Sequence, residues 1–473
     1  MDSIAGGQVD APPLFRPRLI RALGVAAAAS LAICNVIGQG IFLKARAMTC
    51  NVGAPDIVIL AWVIAGLLAL CGSLTFAELG AMIPDSGGPY AYLRRAFGGP
   101  TAFAYGWMMF FLGGPLSAAA LAAGSAIFLN LLSGGALQHF RYGPVNGIEL
   151  AALAILVAVA TINLARIHTN GWIATVLAVI KILMLVCLTV GAFAFGAGSF
   201  GHFSLNGGAG ACVGIAASAR GGAAGFGAAM LGALYAYQGW SSLTYVAGEV
   251  KDPGRTLPRA LISSILLIIV LYVTANLAYF YVLTPAAIAS VSPSSSVGLE
   301  VLGHVFGPQV QGFATALLLL SVIATLHATI LTDSRITYAL ADDGVFFPWL
   351  AGVSRATHVP GRAVVAIAAL AALLVLLASF DILSDMLIFS VSIFYGLTGL
   401  SLFVLRRKEP NAERPYRSLG YPIVPLLFVI AMVWLLVEAV VGAPWRSLIG
   451  LGIILLALPV YSLLQTRSRA RRA

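Results

Sequence analysis

Charge is what this sequence has least of. Only 9% of its 473 residues are Asp, Glu, Lys or Arg, while 60% are hydrophobic; an ordinary soluble domain carries about a quarter charged residues. A chain so poor in charge cannot cover a water-facing surface, which excludes a soluble globular protein. Metal-ligand spacing is also missing: Cys34, Cys50, Cys71, Cys187 and Cys212 stand far apart, and no Cys or His pattern closes a metal site. There is no glycine-rich nucleotide loop and no constellation of catalytic side chains. Neither an enzyme nor an ATP-driven pump is therefore expected, and no cofactor or metal. Acids are scarcer still than bases, 17 against 27, and the formal net charge is +10.

What is present is apolar sequence in lengths that fit a bilayer, whose core of ~30 Å takes about 20 helical residues per crossing. Twelve such runs are read, over residues 22–43, 57–83, 100–132, 148–165, 171–197, 222–248, 259–283, 309–340, 362–380, 384–405, 421–441 and 446–464. The opening "RPRLIRALGVAAAASLAIC" has the basic and apolar regions of a signal peptide, but its apolar run continues past the only plausible cleavage sites. It is read as an uncleaved first span. The expected organisation is an all-α integral membrane protein. It has a cytoplasmic segment 1–21, a transport core 22–405, a loop with two further spans over 406–464, and a basic cytoplasmic tail 465–473.

Lys and Arg collect on the cytoplasmic side of a membrane protein. With the N-terminus inside, the outer segments hold only Lys44, Arg46, Arg141, Arg220 and Arg446; Lys181 lies inside the fifth span, and all other members of the 27 fall on the inner side. Both termini are thus expected in the cytoplasm, and the plasma (inner) membrane of a bacterium is the expected location. The positive charge is accounted for by topology, so no nucleic acid partner is called for. The tail "RSRARRA" is read as a topology anchor ahead of a contact with anionic lipid. Cys50 and Cys212 both fall in outer loops, and two free thiols are the expected state, with a disulfide between them as the alternative.

Inside the first span stands "NVIGQGIF", Asn35 to Phe42, and inside the sixth "GALYAYQGWSS", Gly232 to Ser242. Taken alone, Gly-Gln-Gly reads as small residues for close helix packing. The pair says more. A backbone break in hydrocarbon survives only where it lines a cavity. Two sets of five spans necessarily enter the membrane from opposite sides, so breaks in the first and sixth are corresponding breaks in inverted halves. That pattern points to a transporter site at the midplane.

These pieces, with "FAELGAMIPDSGGPYAYLRRAFG" (Phe76 to Gly98), "VIKILMLV", "YAYQGWSSLTYVAGEVKDPGRTLPRA" (Tyr235 to Ala260), "ILTDSRITYALADDGVFFPWL" (Ile330 to Leu350) and "ERPYRSLGYPIVP" (Glu413 to Pro425), carry a resemblance. The chain resembles the amino acid, polyamine and organocation superfamily, closest to its L-type amino acid transporter branch. The resemblance implies the LeuT-type fold, five helices and their inverted copy with helices 1 and 6 broken and two more outside. It also departs from the family. The family usually has Gly-Ser-Gly where this chain has Gly38, Gln39 and Gly40, often a second Gly in place of Gln238, and Asn in place of Ser241.

A zwitterion's carboxylate and ammonium must be desolvated together without losing hydrogen bonds, and open helix ends do this. The N–H groups near Gln39, Gly40 and Ile41 suit the carboxylate. The carbonyls at Ile37 and near Tyr235, Ala236 and Gln238 suit the ammonium, with Gly40 admitting close approach. Trp240 stands too deep for an interfacial aromatic belt and, with Ser241, is taken into the site. Lys181 lies too deep to snorkel, and a charge there has a role. The resemblance implies that Tyr235 gates the ligand from above and that Lys181 braces the first span where sodium-coupled relatives hold a cation. Glu78 is read as a helix-end carboxylate pairing a cytoplasmic Arg. His327 is read equally as core or pocket residue, and the connections Pro84 to Gly98 and Gly344 to Gly361 as short inner-loop helices.

The expected function is Na⁺-independent secondary transport of amino acids by alternating access, as exchange or proton-coupled uptake. The alternatives are a carrier of polyamines or cationic amino acids, and a non-transporting sensor, against which intact breaks and short termini argue. Neutral substrates are favoured because no Asp or Glu is found in the middle of spans one, three, six, eight or ten: Glu78, Glu249, Asp333 and Asp385 stand toward span ends. Whether a partner subunit is needed is not legible in the residues.

Overall fold

The computed structural model describes residues 21–470 except 166, 206–209, 293–294, 308, 378–379 and 443. The N-terminal segment before Arg21, the last three residues of the tail, and the side chains of Arg166, Asp385, Arg446, Arg467 and Arg469 lie outside the described residues. Among the described residues eight helices are long and apolar enough to cross a membrane, or nine when the bent pair Val25–Val36 and Gly40–Val52 is one span. The eight are Pro55–Met82, Gly99–Leu132, Thr175–Phe195, Pro253–Val282, Gln309–Asp342, Met386–Lys408, Ile423–Gly442 and Ser447–Leu464. They fall on the second, third, fifth, seventh, eighth and tenth to twelfth of the apolar runs. The fourth and ninth runs form the shorter apolar helices Gly147–Asn163 and Gly361–Leu377. The sixth forms an α-helix Gly222–Tyr237, then a turn and a 3₁₀ segment Ser242–Glu249.

Three local features depart from the sequence reading. The first span does not end near residue 43: past its break it continues to Val52, where Gly53 in the left-handed region stops it. The all-α expectation omits a two-residue hairpin, Arg141–Tyr142 against Val145–Asn146. It leads into the fourth span through a reciprocal cap between Asn146 and Glu149. The connection after the second span does carry a helix, Pro89–Phe97, but in Gly344 to Gly361 only the single turn Pro348–Ala351 forms. The connection after the seventh span instead holds two short helices, Pro285–Ser290 and Val297–Phe306.

The third span changes pitch at Met109–Gly113, which is π-helical. Pro115, just beyond, has no N–H to return to the turn before it, and the extra residue per turn takes up the lost bond.

Packing is pairwise. The second span lies along the seventh, the third along the eighth, the fourth along the ninth, and Gly40–Val52 along Gly222–Tyr237. The most apolar stretches of the third, eighth and tenth spans are 67%, 72% and 72% buried, against 33% and 22% for the eleventh and twelfth. The last two therefore form the periphery, with Leu426, Ile430, Val433, Val437 and Val441 exposed on the eleventh. A helix apolar on all sides with one face uncovered is suited to lipid.

Cys50 and Cys212 form a disulfide, 162 residues apart in sequence, which corrects the expectation of two free thiols. The segment before the sixth span folds across the end of the first: Arg46 donates to Val213 O at 3.0 Å, Cys212 N to Ala289 O at 3.1 Å. Those contacts bring the two sulfurs together, and no spacing in the sequence announces them.

Candidate functional site

The two interrupted spans meet at their interruptions. In the first, the helix ends at Val36 and a new one starts at Gly40, with no side chain capping its first N–H groups. Phe42 N and Leu43 N turn back to Gln39 O, which leaves the N–H groups of Gly40 and Ile41 without an intrahelical partner. On the other side of the gap, Lys181 Nζ donates to Cys34 O at 2.9 Å, to Thr325 Oγ1 at 2.6 Å and to Ile37 O. One ammonium from the fifth span thus terminates the helix and ties it to the eighth span, placing positive charge at the negative end of a helix dipole.

The sixth span is held by neutral groups. Its helix stops at Tyr237, Gln238 is extended, and Gly239 sits at φ +104°, where a Cβ would stand 2.9 Å from Asn35 O. Glycine is needed there for both backbone conformation and room. Tyr395 of the tenth span lies 2.8 Å from Ser241 Oγ and accepts from Gln238 Nε2 at 3.0 Å. Tyr272 of the seventh reaches both breaks, its hydroxyl 3.0 Å from Val36 O and 3.2 Å from Ala236 O.

Between the breaks is a cavity walled by five spans. Asn35, Val36, Gly38, Gln39 and Gly40 come from the first, and Met109, Gly113, Ser117 and Leu121 from the third. The sixth gives Tyr235, Ala236, Gln238, Gly239, Ser242 and Tyr245; the eighth gives Thr325, Thr329 and Asp333; the tenth gives Leu387, Val391 and Tyr395.

Six of the residues singled out in the sequence, Gly38, Gln39, Gly40, Tyr235, Ala236 and Gln238, stand in this wall together. Four do not. Ile37 is buried, with its carbonyl engaged by Lys181 and Thr325, and Ile41 is buried behind the lining. Trp240 packs edge-on to Phe76 with ring centroids 4.7 Å apart and lies 5.8 Å from Phe428. Ser241 serves Tyr395 behind the wall. Gly40 has a second reason for its size: a Cβ there would stand 2.5 Å from Ala236 Cα. Its missing side chain lets the two broken spans touch.

Gln39 points across to the third span, donating to Tyr235 Oη at 3.1 Å and to Ala120 O at 3.4 Å. Its Oε1 has no hydrogen-bond partner among the described residues, and a Cβ on Gly124 opposite would fall 1.6 Å from that oxygen and displace the amide. Tyr235 borders this cavity and also a second one, lined by Lys44, Met48, Asn51 and Glu438. Lys44 Nζ lies 4.9 Å from the Tyr235 ring centroid.

Asp333, set aside in the sequence as standing toward a span end, lines the cavity. The eighth helix carries Thr325, Thr329 and Asp333 at intervals of four, one face of a helix, and that spacing was available in the sequence. Glu78 is fully buried and pairs with Arg406 at 2.7 Å and Arg414 at 3.5 Å, the helix-end role read for it. His327 is buried outside the lining. Among the described residues no group of His, Cys, Asp and Glu is arranged to hold a metal ion.

The amino acid permease family profile matches residues 23–458. The serine/threonine exchanger SteT of Bacillus subtilis is 27% identical over 94% of this chain and 96% of its own. The human large neutral amino acids transporter small subunit 2 is 29% identical over 97% of this chain and 84% of its own. The mouse b(0,+)-type amino acid transporter 1 is 26% identical over 94% and 88%. With its apolar helices and a match spanning nearly its whole length, the chain belongs to the amino acid permease family of the amino acid, polyamine and organocation superfamily, as a multi-pass membrane transporter and not an enzyme.

Proposed function

We propose that the chain is a Na⁺-independent secondary transporter of L-amino acids, working by alternating access through exchange or proton-coupled uptake. The observation that carries this reading is the contact between the two breaks. An uncapped helix N-terminus at Gly40 suits a carboxylate. The polar residues of the sixth-span turn across from it suit an ammonium. Ile37 O, engaged by Lys181 and Thr325, no longer serves as an ammonium ligand, which leaves that role to the Tyr235 to Gln238 turn. Lys181 stands in for a bound cation: a fixed ammonium on two carbonyls and a hydroxyl does what Na⁺ would do there. The ligand set assigned to the substrate is Gly38, Gln39, Gly40, Tyr235, Ala236 and Gln238.

The reading includes twelve spans, an inverted repeat over 22–405 with 406–464 outside it, and both termini in the cytoplasm of a plasma membrane. The pairwise packing of second on seventh, third on eighth and fourth on ninth supports the repeat, because elements beside a two-fold axis meet their own counterparts. The distribution of Lys and Arg supports the orientation. Neutral side chains fit the aromatic and small residues of the wall. Exchange of small hydroxyl amino acids, the activity named for SteT, is one case of the reading.

Uptake into proteoliposomes, measured with and without Na⁺, a proton gradient and internal substrate, tests it. Labelled amino acid should enter without Na⁺ and be driven by internal substrate or by a proton gradient. Strong Na⁺ dependence rejects the role of Lys181. Displacement of label by a polyamine better than by any amino acid rejects the zwitterion site.

A further inference from the structure

Three acids are buried among the described residues, Glu78, Glu249 and Asp333. Glu78 and Glu249 are fully buried, and each is matched by arginine: Glu78 by Arg406 and Arg414, Glu249 by Arg335 at 2.7 Å. Toward the ends of the helices, Asp343 meets Arg94 and Glu409 meets Arg95. Asp333 is the exception. It is 7% exposed, and what it exposes faces the cavity it lines. None of the ion pairs among the described residues includes it. The neighbouring Arg335 is committed to Glu249, and Lys181 to the first break. Asp333 is also the only Asp, Glu, Lys, Arg or His among the cavity's described lining residues.

Its position relative to the breaks is fixed by the helix that carries it. Gly38 abuts Thr325, so that a Cβ there would lie 3.1 Å from Thr325 Oγ1, and Thr329 donates to Asn35 Oδ1 at 3.2 Å. Asp333 continues the same face two turns beyond Thr325, about 12 Å along the axis, with its side chain leaning back toward the helix N-terminus. Opposite it the third span presents Gly114, whose absent Cβ would stand 3.4 Å from Asp333 Oδ2, beside the π-helical turn. The cavity thus runs from the two helix ends, which suit a zwitterion, toward one unmatched carboxylate. Asp333 lies one turn, about 6 Å along the axis, beyond Thr329 and its contact with Asn35 at the first break, and a lysine side chain carries its ammonium roughly 6 Å from the α-carbon.

We propose that Asp333 is a specificity-determining residue that holds the distal cation of the substrate, so that the site takes amino acids with a terminal ammonium or guanidinium as well as neutral ones. This rests on the amino acid transport reading above. The physical reason is desolvation: a carboxylate kept from water and left unmatched is costly, and a cation that arrives on the substrate relieves that cost. A neutral side chain of the same length does not. Selectivity then comes from comparing lysine with norleucine, its isostere without the ammonium, and ornithine with norvaline.

The test uses the full chain in proteoliposomes and competition against a labelled neutral L-amino acid that it takes up. Lysine should compete at least tenfold better than norleucine. In Asp333→Asn the lysine-to-norleucine ratio should fall at least tenfold, and in Asp333→Glu, which keeps the charge, it should fall less. Norleucine competing as well as lysine in the unmodified chain overturns the proposal without any variant, so a poorly folding substitution does not shield it. A ratio unchanged by Asp333→Asn, with only the pH dependence of uptake altered, also overturns it and assigns the carboxylate to a proton instead. If neutral amino acids compete and cationic ones do not, amino acid transport stands and this inference fails. If no L-amino acid of either class is taken up or competes, the transport reading itself fails.

Discussion

The first and sixth spans present the same physical problem, a helix stopped inside hydrocarbon, and answer it differently. At the first break one charged side chain does the holding: Lys181 gathers Cys34 O, Ile37 O and Thr325 Oγ1. At the sixth, hydroxyls hold the chain, with Tyr395 on Ser241 and Gln238. Lys181 comes from the fifth span and Tyr395 from the tenth, counterparts in the proposed repeat, so each break is tied by the last helix of its own half. The difference is one of strength and response. Hydrogen bonds to a charged group are roughly twice as strong as neutral ones, which makes the first break the stiffer and the sixth the easier to rearrange. Tyr272 touches both and couples them.

Removing the charge is the largest expected perturbation. Lys181→Ala leaves two buried carbonyls and a hydroxyl short of a donor, at roughly 1–3 kcal/mol for each group left unsatisfied. Uptake should fall by tenfold or more, and Na⁺ should not stimulate the unmodified protein. Uptake assays on both proteins check this, and a Lys181→Ala protein transporting at the normal rate would end the claim that the first break is charge-held. Next in size is the contact that joins the breaks. Gly40→Val forces a side chain against Ala236, where the backbone stands 2.5 Å from the Cβ position. Overpacking of this kind costs about 1–3 kcal/mol. Thermal unfolding should shift downward along with the loss of uptake, whereas an unshifted melting curve would mean that the glycine is there for the ligand after all.

The sixth break should yield smaller numbers. Tyr395→Phe removes one neutral hydroxyl and should slow uptake by about fivefold, equivalent to about 1 kcal/mol. Combined with Ser241→Ala it should cost less than the sum of the two single changes, since both remove the same bond. Additive losses would show that the two residues act separately and that Tyr395 is no tie.

How far these breaks could be foreseen depends on what kind of contact makes them. Length and hydropathy are local, so the apolar helices were legible, although among the described residues eight or nine of them, not twelve, are long and apolar enough to cross a membrane. Glycine and glutamine in the middle of an apolar run are local too, and Gly38, Gln39, Gly40 and Gln238 were found that way. Contacts made by distant segments were not legible. Trp240 looked like a site residue by its depth, but Gly72 on the second span opens a notch, a Cβ there falling 2.6 Å from Trp240 Cη2, and the indole lodges in it. Asp333 was judged by its distance from a span end, when the face of the helix decides what a side chain meets. The Cys50–Cys212 bridge depends on a loop folding back over 162 residues, and nothing in the spacing records it.

The smallest expected effect lies outside the membrane, where the same contrast between charged and neutral ties loses its force. Glu409, just past the end of the tenth span, accepts from Arg95 Nε at 2.9 Å and from Arg95 Nη2 at 2.6 Å. These bonds hold its carboxyl below the ordinary value of 4.5. A carboxylate whose folded value is depressed stabilises the fold above its unfolded value and ceases to as pH falls through the folded one. The contribution should therefore be present at neutral pH and disappear below about 4.5. Its partners are 40% and 31% exposed, and water and salt screen such pairs, so the effect on melting should be about 2 °C or less. Melting curves of Glu409→Gln and the unmodified protein, recorded at low salt, should differ slightly at pH 7 and coincide in acid. A larger shift, or one that persists in acid or in high salt, would mean that this exposed pair braces the tenth span as firmly as Lys181 braces the first.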